Sequence, residues 1–239
     1  MKQGMDMSAE PYALNPDDLA TAALARGAGE LYNVPGTGLL GLLQRLRPYI
    51  CPFGEVIAQV PYGARVLDVG CGAGLFLLTL ARLGRIGESF GFDSSVPAIA
   101  AAQAAQRQLA DPSCVRFEHR AVEQGLPHGS WNVVSAIDVI HHIPPQYQRG
   151  FVLQLAHAVP PGGRLLLKDM VATPRWRALA NSLHDLIMAR QRVHHVDSDE
   201  VASWMAGEGW RQVYRGRTNM WWYGHWTLVF ERSSGQTEQ

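Results

Sequence analysis

The sequence predicts an α/β protein: a doubly wound, mostly parallel seven-stranded sheet with an N-terminal helical extension. Three observations lead there. Short apolar runs alternate with helical segments from residue 64 onward, the first such run breaks into alternate glycines, and residues 1–60 show helix patterns without a strand pattern. Apolar strands separated by helices imply a parallel sheet covered on both faces. The composition agrees, since 47% hydrophobic and 18% charged residues among 239 suit a globular chain with a large core.

Residues 1–18 are polar, carry Pro11, Asn15 and Pro16, and read as a loose start. A short helix is expected after Asp18 on Leu19, Ala22 and Ala23. The turn-rich segment 33–38 separates it from a second helix on Leu39, Leu40, Leu42, Leu43 and Leu46, which Pro48 stops. A third helix is expected over 53–59. Residues 1–60 therefore form a helical lid or extension, and 61–232 the main domain. Strands are predicted at 65–69, 89–92, 115–118, 132–137 and 164–168, with helices at 75–83, 96–110 and after Pro145. Helices near 174–191 and 198–208 then precede two closing strands, 211–218 and 226–231. The segment 219–224 joins these as an antiparallel edge. Residues 233–239 read as a disordered tail.

Lys plus Arg equals Asp plus Glu at 21 each, so the overall balance carries no footprint for nucleic acid or an anionic membrane. The three cysteines, Cys51, Cys71 and Cys114, form no CxxC pair, which argues against a disulfide framework or a zinc site. No apolar leader and no run long enough for a membrane span is evident, so the cytoplasm is the expected location.

Chemistry concentrates at Val66-Leu67-Asp68-Val69-Gly70-Cys71-Gly72-Ala73-Gly74. A strand ending in alternate glycines lets a ligand approach the backbone, because no Cβ intervenes. The helix that follows offers unpaired N–H groups and the positive end of its dipole. A dinucleotide loop wants G-x-G-x-x-G, yet Leu75 stands where that third glycine would fall. This spacing, and the lack of a Tyr-x-x-x-Lys pair, disfavours a nicotinamide oxidoreductase. Asp93 ends the second strand about 20 residues further on, where an acid can accept hydrogen bonds from a ribose diol. Followed by Ser94 and Ser95, it also suits a helix N-cap.

The run D-x-G-C-G-x-G preceded by Val-Leu resembles motif I of class I S-adenosylmethionine-dependent methyltransferases. That resemblance, extending over about 60–232, implies a Rossmann-like methyltransferase fold, S-adenosylmethionine as cofactor and a small-molecule substrate. It assigns Asp68, Gly70, Cys71, Gly72 and Gly74 to the cofactor, with Asp93 and Ser94 at its ribose. The stretch 123–134 is similar to the family's E-x-L-P-x-x-x-F-D-x-V, but Trp131 and Asn132 replace Phe and Asp. The family's usual adenine-binding acid is missing before it, which leaves the backbone of Ala121 and Val122 for that contact. Residues 137–144 resemble the D-V-x-x-H-x-P element that lines the cleft, with Asp138 facing the cofactor. Pro-Gly-Gly at 161–163 opens the fifth strand, and Lys168 and Asp169 end it facing the site. From position, Arg47 or Tyr49 of the front section reaches the cofactor carboxylate.

Methyl transfer needs a held acceptor and, for a hydroxyl, a base. The candidate bases are His194, His195 and His141, as imidazoles titrate near neutrality; His225 is a further one. The adjacent histidine pairs point to opposite faces on an extended chain, so no metal site is expected. The aromatic run 220–226 suits core cover, a homodimer contact or a stacking surface for substrate. The Lys168-Asp169 tip, segment 189–194 and these aromatics resemble methyltransferases of bacterial secondary metabolism, aryl polyene pathways included, which implies a phenolic acceptor methylated at oxygen or carbon. The alternative is a non-catalytic, S-adenosylmethionine-binding partner subunit.

Overall fold

The structure, a computed structural model, describes residues 15–171, 194–206, 209–221 and 223–234. Its centre is a seven-stranded sheet of order β3-β2-β1-β4-β5-β7-β6. The strands are β1 (Val66–Val69), β2 (Ser89–Asp93), β3 (Val115–His119), β4 (Val133–Ile137), β5 (Arg164–Met170), β6 (Trp210–Met220) and β7 (Tyr223–Arg232). The first five are parallel, and β7 runs antiparallel to both β5 and β6. Chain order reverses between β1 and β4, so the crevice where open α/β sheets bind ligands lies at the carboxyl ends of these two strands.

Period-two alternation divides the sheet's side chains between two cores. Val66 of β1 faces a layer built from α1 (Thr21–Tyr32), α2 (Gly38–Leu46), α3 (Phe53–Ala58), α4 (Leu75–Arg82) and α5 (Val96–Gln106). Leu67 and Val69 face the other layer, with α6 (Pro145–His157) and α7 (Ser198–Met205). The front helices are part of the first core: Tyr32, Phe53, Val56 and Ile57 are buried in it. The Tyr32 hydroxyl donates to the Ala73 carbonyl at 2.6 Å, which pins α1 to the glycine loop.

The predicted elements recur with specific differences. A 3-10 turn, Pro16–Leu19, precedes α1, and the helix itself continues to Tyr32. The end of α5 comes at Gln106 because the next amides, Gln108 and Leu109, bond three residues back in a tightening turn. Helix α7 ends at Met205, and its first turn is capped by the Asp197 side chain, which accepts from the Asp199 amide. The closing strands are longer than expected, β6 ending at Met220 and β7 starting at Tyr223, with Trp221 in a turn at φ 56°. Trp131 and Asn132 serve the fold. Trp131 is buried against Phe90 beneath the Arg65 guanidinium, and Asn132 Oδ1 accepts from the Arg65 amide. The loose start up to residue 14, the helix expected over 174–191 and tail residues 235–239 lie outside the described residues. Among the described residues, no helix is long and apolar enough to cross a membrane.

Removing the Tyr32 hydroxyl leaves a buried carbonyl without its donor. Tyr32→Phe should therefore lower unfolding free energy by about 1–2 kcal/mol in urea titrations. An unchanged midpoint would show that this hydrogen bond does not anchor the helix.

Candidate active site

The loop after β1 uses its three glycines differently. Gly70, Gly72 and Gly74 all have positive φ, at 70°, 55° and 84°. A Cβ on Gly70 would lie 2.6 Å from Val139 Cγ2, and one on Gly74 would lie 2.6 Å from Phe117 Cζ. Both positions are closed by packing. A Cβ on Gly72 would meet nothing within 4 Å, so the open part of the loop is there.

Asp93 borders that opening. Its Oδ2 accepts from the Gly72 amide at 2.9 Å and its Oδ1 from the Ser95 amide at 2.8 Å. The cap of α5 is Ser95, whose hydroxyl accepts from the Ala98 amide, so the N-cap role suggested for Asp93 belongs two residues later. Each Asp93 oxygen retains capacity for another donor. Ser94 is exposed, and its carbonyl accepts from His119 Nε2.

Asp68 lies beneath the loop. It is buried, and its Oδ1 accepts from the Ser135 hydroxyl at 2.7 Å. Burial pushes its carboxyl up to about 7, against the pull of Ser135 and Arg47. Cys71 is also buried, and burial beside Asp68 and Asp93 pushes its thiol well up. At the tip of β3, the Ala121 amide donates to Gln124 Oε1 within its own turn, next to Val122.

Beyond β4, Asp138 has a positive φ of 57° and donates its amide to the Lys168 carbonyl at 2.8 Å. Its carboxylate bridges two cations: Lys168 Nζ at 2.6 Å from Oδ1 and Arg47 Nη2 at 2.9 Å from Oδ2. Lys168 is fully buried. Burial is the largest single influence and works against both charges, but the neighbours together outweigh it. Lys168 and Arg47 hold the Asp138 carboxyl well below the usual carboxylate range, and Asp138 and Cys51 raise the Lys168 ammonium. Arg47 thus reaches the strand tips, while Tyr49 stays exposed. Nothing local in the sequence announces the Arg47–Asp138 pair.

The histidines sit beside this cluster. His141 is buried, with its amide donating to Asp169 Oδ2 at 3.1 Å and its Nδ1 paired with Oδ1. Asp169 is buried too; burial raises its carboxyl, but His141 outweighs that and holds it low. The half-buried His195 ring lies roughly parallel to that of His141, centroids 6.1 Å apart. His194 is placed through its backbone, its amide donating to the His141 carbonyl and its carbonyl accepting from Gln148. The structure therefore gathers His141, His194 and His195 at the tips of β4 and β5. His225 is buried and donates from Nε2 to the Ile50 carbonyl at 2.7 Å. Burial, then Lys168, pushes its pKa down to about 3. Of the aromatic run, Trp226 is core, its indole N–H donating to the Val196 carbonyl, while Trp221 is exposed. Among the described residues, no group of three or more His, Cys, Asp or Glu is placed to hold a metal ion.

A family model described as a methyltransferase domain matches residues 42–214, which cover the glycine loop, Asp93 and both strand tips. The chain belongs to this methyltransferase family. It is 30% identical over 156 residues to a ubiquinone biosynthesis O-methyltransferase of Xanthomonas axonopodis pv. citri (strain 306), covering 62% of this chain and 63% of that protein. The mitochondrial ubiquinone biosynthesis O-methyltransferase of Schizosaccharomyces pombe is 28% identical over 157 residues, covering 62% and 55%. The chain spans less than two thirds of the length of these two relatives. In fold it is similar to magnesium protoporphyrin IX methyltransferase of Synechocystis PCC 6803 with bound SAH. The TM-score is 0.64 at 21% identity, over 91% of this chain and 97% of that one.

His225 gives the site a pH signature. The folded state keeps this imidazole neutral, whereas the unfolded chain takes up a proton below about 6.5. Stability present above that pH should be lost progressively as pH falls toward 3, on the order of 4 kcal/mol from this group. Chemical denaturation of His225→Asn should show a shallower decline between pH 6.5 and 4 than wild type does. Parallel curves would assign the acid sensitivity elsewhere.

Proposed function

We propose that this chain transfers a methyl group from S-adenosylmethionine to a small-molecule acceptor. The acceptor class is a phenolic ring, of aryl polyene or polyketide type, methylated at oxygen or carbon. The observation that carries this reading is the open face of Gly72 beside the Asp93 carboxylate. A nucleoside fits there: its ribose hydroxyls donate to Asp93 and Ser94 borders them. Ala121 and Val122 flank the adenine, and Gly70, Cys71 and Gly74 keep the bend in shape. Asp68 and Asp138 stand toward the charged methionyl end.

The cofactor supplies an electrophilic methyl group on a sulfonium. What the chain adds is placement, exclusion of water and a proton acceptor. For a phenol the proton passes to the histidine group, with His195 half-exposed and His141 oriented by Asp169. His194 fixes that segment to β4. The O-methyltransferase relatives support oxygen as the acceptor atom. Residues 1–60 act in this reading as the lid, 61–232 as the catalytic domain, and the cytoplasm as the place of action. One observation favours the second reading, a non-catalytic cofactor-binding partner subunit: His141 and His225 are both buried, as structural histidines are.

Calorimetric titration with S-adenosylmethionine tests the first reading. Asp93→Ala should weaken binding by about 1–3 kcal/mol, the scale of a charge-assisted hydrogen bond. Gly72→Val should abolish binding, because a side chain then fills the cradle. Unchanged affinity in Asp93→Ala removes the ribose assignment. Tight binding by wild type with no turnover on any member of a phenol panel selects the partner subunit.

A further inference from the structure

Helix α2 turns small and polar residues inward. Leu40 packs on the core and Gly41 and Gln44 are buried, while Leu39, Leu42 and Leu46 face solvent. Two polar side chains of this segment are buried, and their situations differ. The Thr37 hydroxyl donates toward the Tyr32 and Val34 carbonyls at 2.9 and 2.8 Å. Gln44 is only 7% exposed, and its Oε1 is buried without a hydrogen-bond donor among the described residues. A buried amide oxygen without a donor opposes folding. Native proteins leave few such atoms, and one that persists beside a ligand crevice suits a donor from outside the chain.

The helix passes the point where that crevice opens. Before it, Gly36 lies against α5, since a Cβ there would sit 3.6 Å from Ala104 Cβ. After it, Arg47 bonds to Asp138 beyond β4 at 2.9 Å. Helix α5 follows β2, and β1 lies between β2 and β4, so α2 crosses from one side of β1 to the other. Gln44 stands one turn before Arg47 on the inward face. Arg47 in turn lies near Asp68 of β1: burial raises that carboxyl, and Ser135 and then Arg47 draw it back. The buried carboxylates at these tips are unequally matched. Asp138 has Lys168 and Arg47, and Asp169 has His141. Asp68 bonds to the Ser135 hydroxyl and forms no ion pair among the described residues. Two acceptors short of a donor, Gln44 Oε1 and the Asp68 carboxylate, therefore flank Arg47.

We infer that Gln44 selects the amino-acid end of the cofactor, its Oε1 accepting a hydrogen bond from the α-ammonium alongside Asp68. The inference rests on the nucleoside site proposed above and adds a residue which that site does not contain. An ammonium brings three donors and no acceptor, which suits a neutral carbonyl and a carboxylate together. The carboxylate of the same ligand end meets Arg47, whose guanidinium has N–H donors beyond the one that bonds Asp138. The polar inward face of α2 then has a reason. An apolar residue at position 44 would favour the empty fold, and Gln44 favours the loaded one. A buried water would satisfy Oε1 as well, but it would not tell one nucleoside from another.

The experiment is calorimetric titration of the full chain with two ligands, S-adenosylhomocysteine and methylthioadenosine, which has the nucleoside without the amino-acid end. Gln44→Leu keeps a side chain of similar bulk and removes the oxygen. It should weaken S-adenosylhomocysteine about tenfold, the scale of one hydrogen bond to a charged group, and leave methylthioadenosine within about twofold. Gln44→Glu retains an acceptor and should stay closer to wild type than Gln44→Leu does. Without ligand, the melting temperature of Gln44→Leu should not fall, because an unpaired buried oxygen has been removed. Unchanged S-adenosylhomocysteine affinity in Gln44→Leu overturns the inference and leaves the nucleoside site standing. Equal losses for both ligands, with a lower melting temperature, assign Gln44 to the fold and overturn it too. If wild type binds neither ligand, the nucleoside site itself fails and the role of Gln44 with it.

Discussion

A carboxylate held between two cations at the tips of the central strands organises this molecule. Asp138 is joined to Lys168 on β5 and to Arg47 from the front section, at a point where little water reaches. Taking three charges out of water is costly, and only complete pairing makes it tolerable. The pairing fixes three things together. It sets the turn after β4, where Asp138 adopts a left-handed conformation. It closes the front helices over the sheet's carboxyl edge, aided by His225 and Ile50 on one side and Tyr32 and Ala73 on the other. It also leaves His141 one turn further on, in register with Asp169.

The site consequently has two halves on either side of the point where strand order reverses. One half is backbone: the bend at Gly72, the Asp93 carboxylate and the turn at Ala121. It suits a neutral sugar and base, recognised by hydrogen bonds. The other half is charged and buried: Asp138, Lys168, Arg47, and the Asp169–His141 pair beneath His195. In the proposed function it takes the ionic end of the cofactor and the acceptor.

Much of this was legible in the sequence, and the limits have physical causes. Alternation of strands and helices, the glycine bend and Asp93 are local patterns, and local patterns survive in a one-dimensional reading. Seven strands and their mixed edge follow from them. The division of labour among the glycines does not: Gly70 and Gly74 are small because Val139 and Phe117 crowd them, and those partners come from other strands. The Arg47–Asp138 pair spans 91 positions, so no spacing rule finds it. Trp131 and Asn132 looked like departures from a motif, yet each fills a structural post beside Arg65. The aromatic run at the hairpin offered three readings because alternation along β7 was obscured by consecutive aromatics. Trp226 proves to be core, and Trp221 lies in the turn. The leucines of α2 fitted a helix correctly, but periodicity alone does not say which face meets the core.

The bend at Gly72 and the Asp93 carboxylate are proposed to form a nucleoside cradle together. A crystal structure of the chain with S-adenosylhomocysteine is its most direct measurement. The ribose hydroxyls should lie within hydrogen-bonding distance of Asp93 and the nucleoside should rest against Gly72, with the amino-acid end toward Asp138 and Arg47. Ligand density elsewhere, with Gly72 still open, would contradict it.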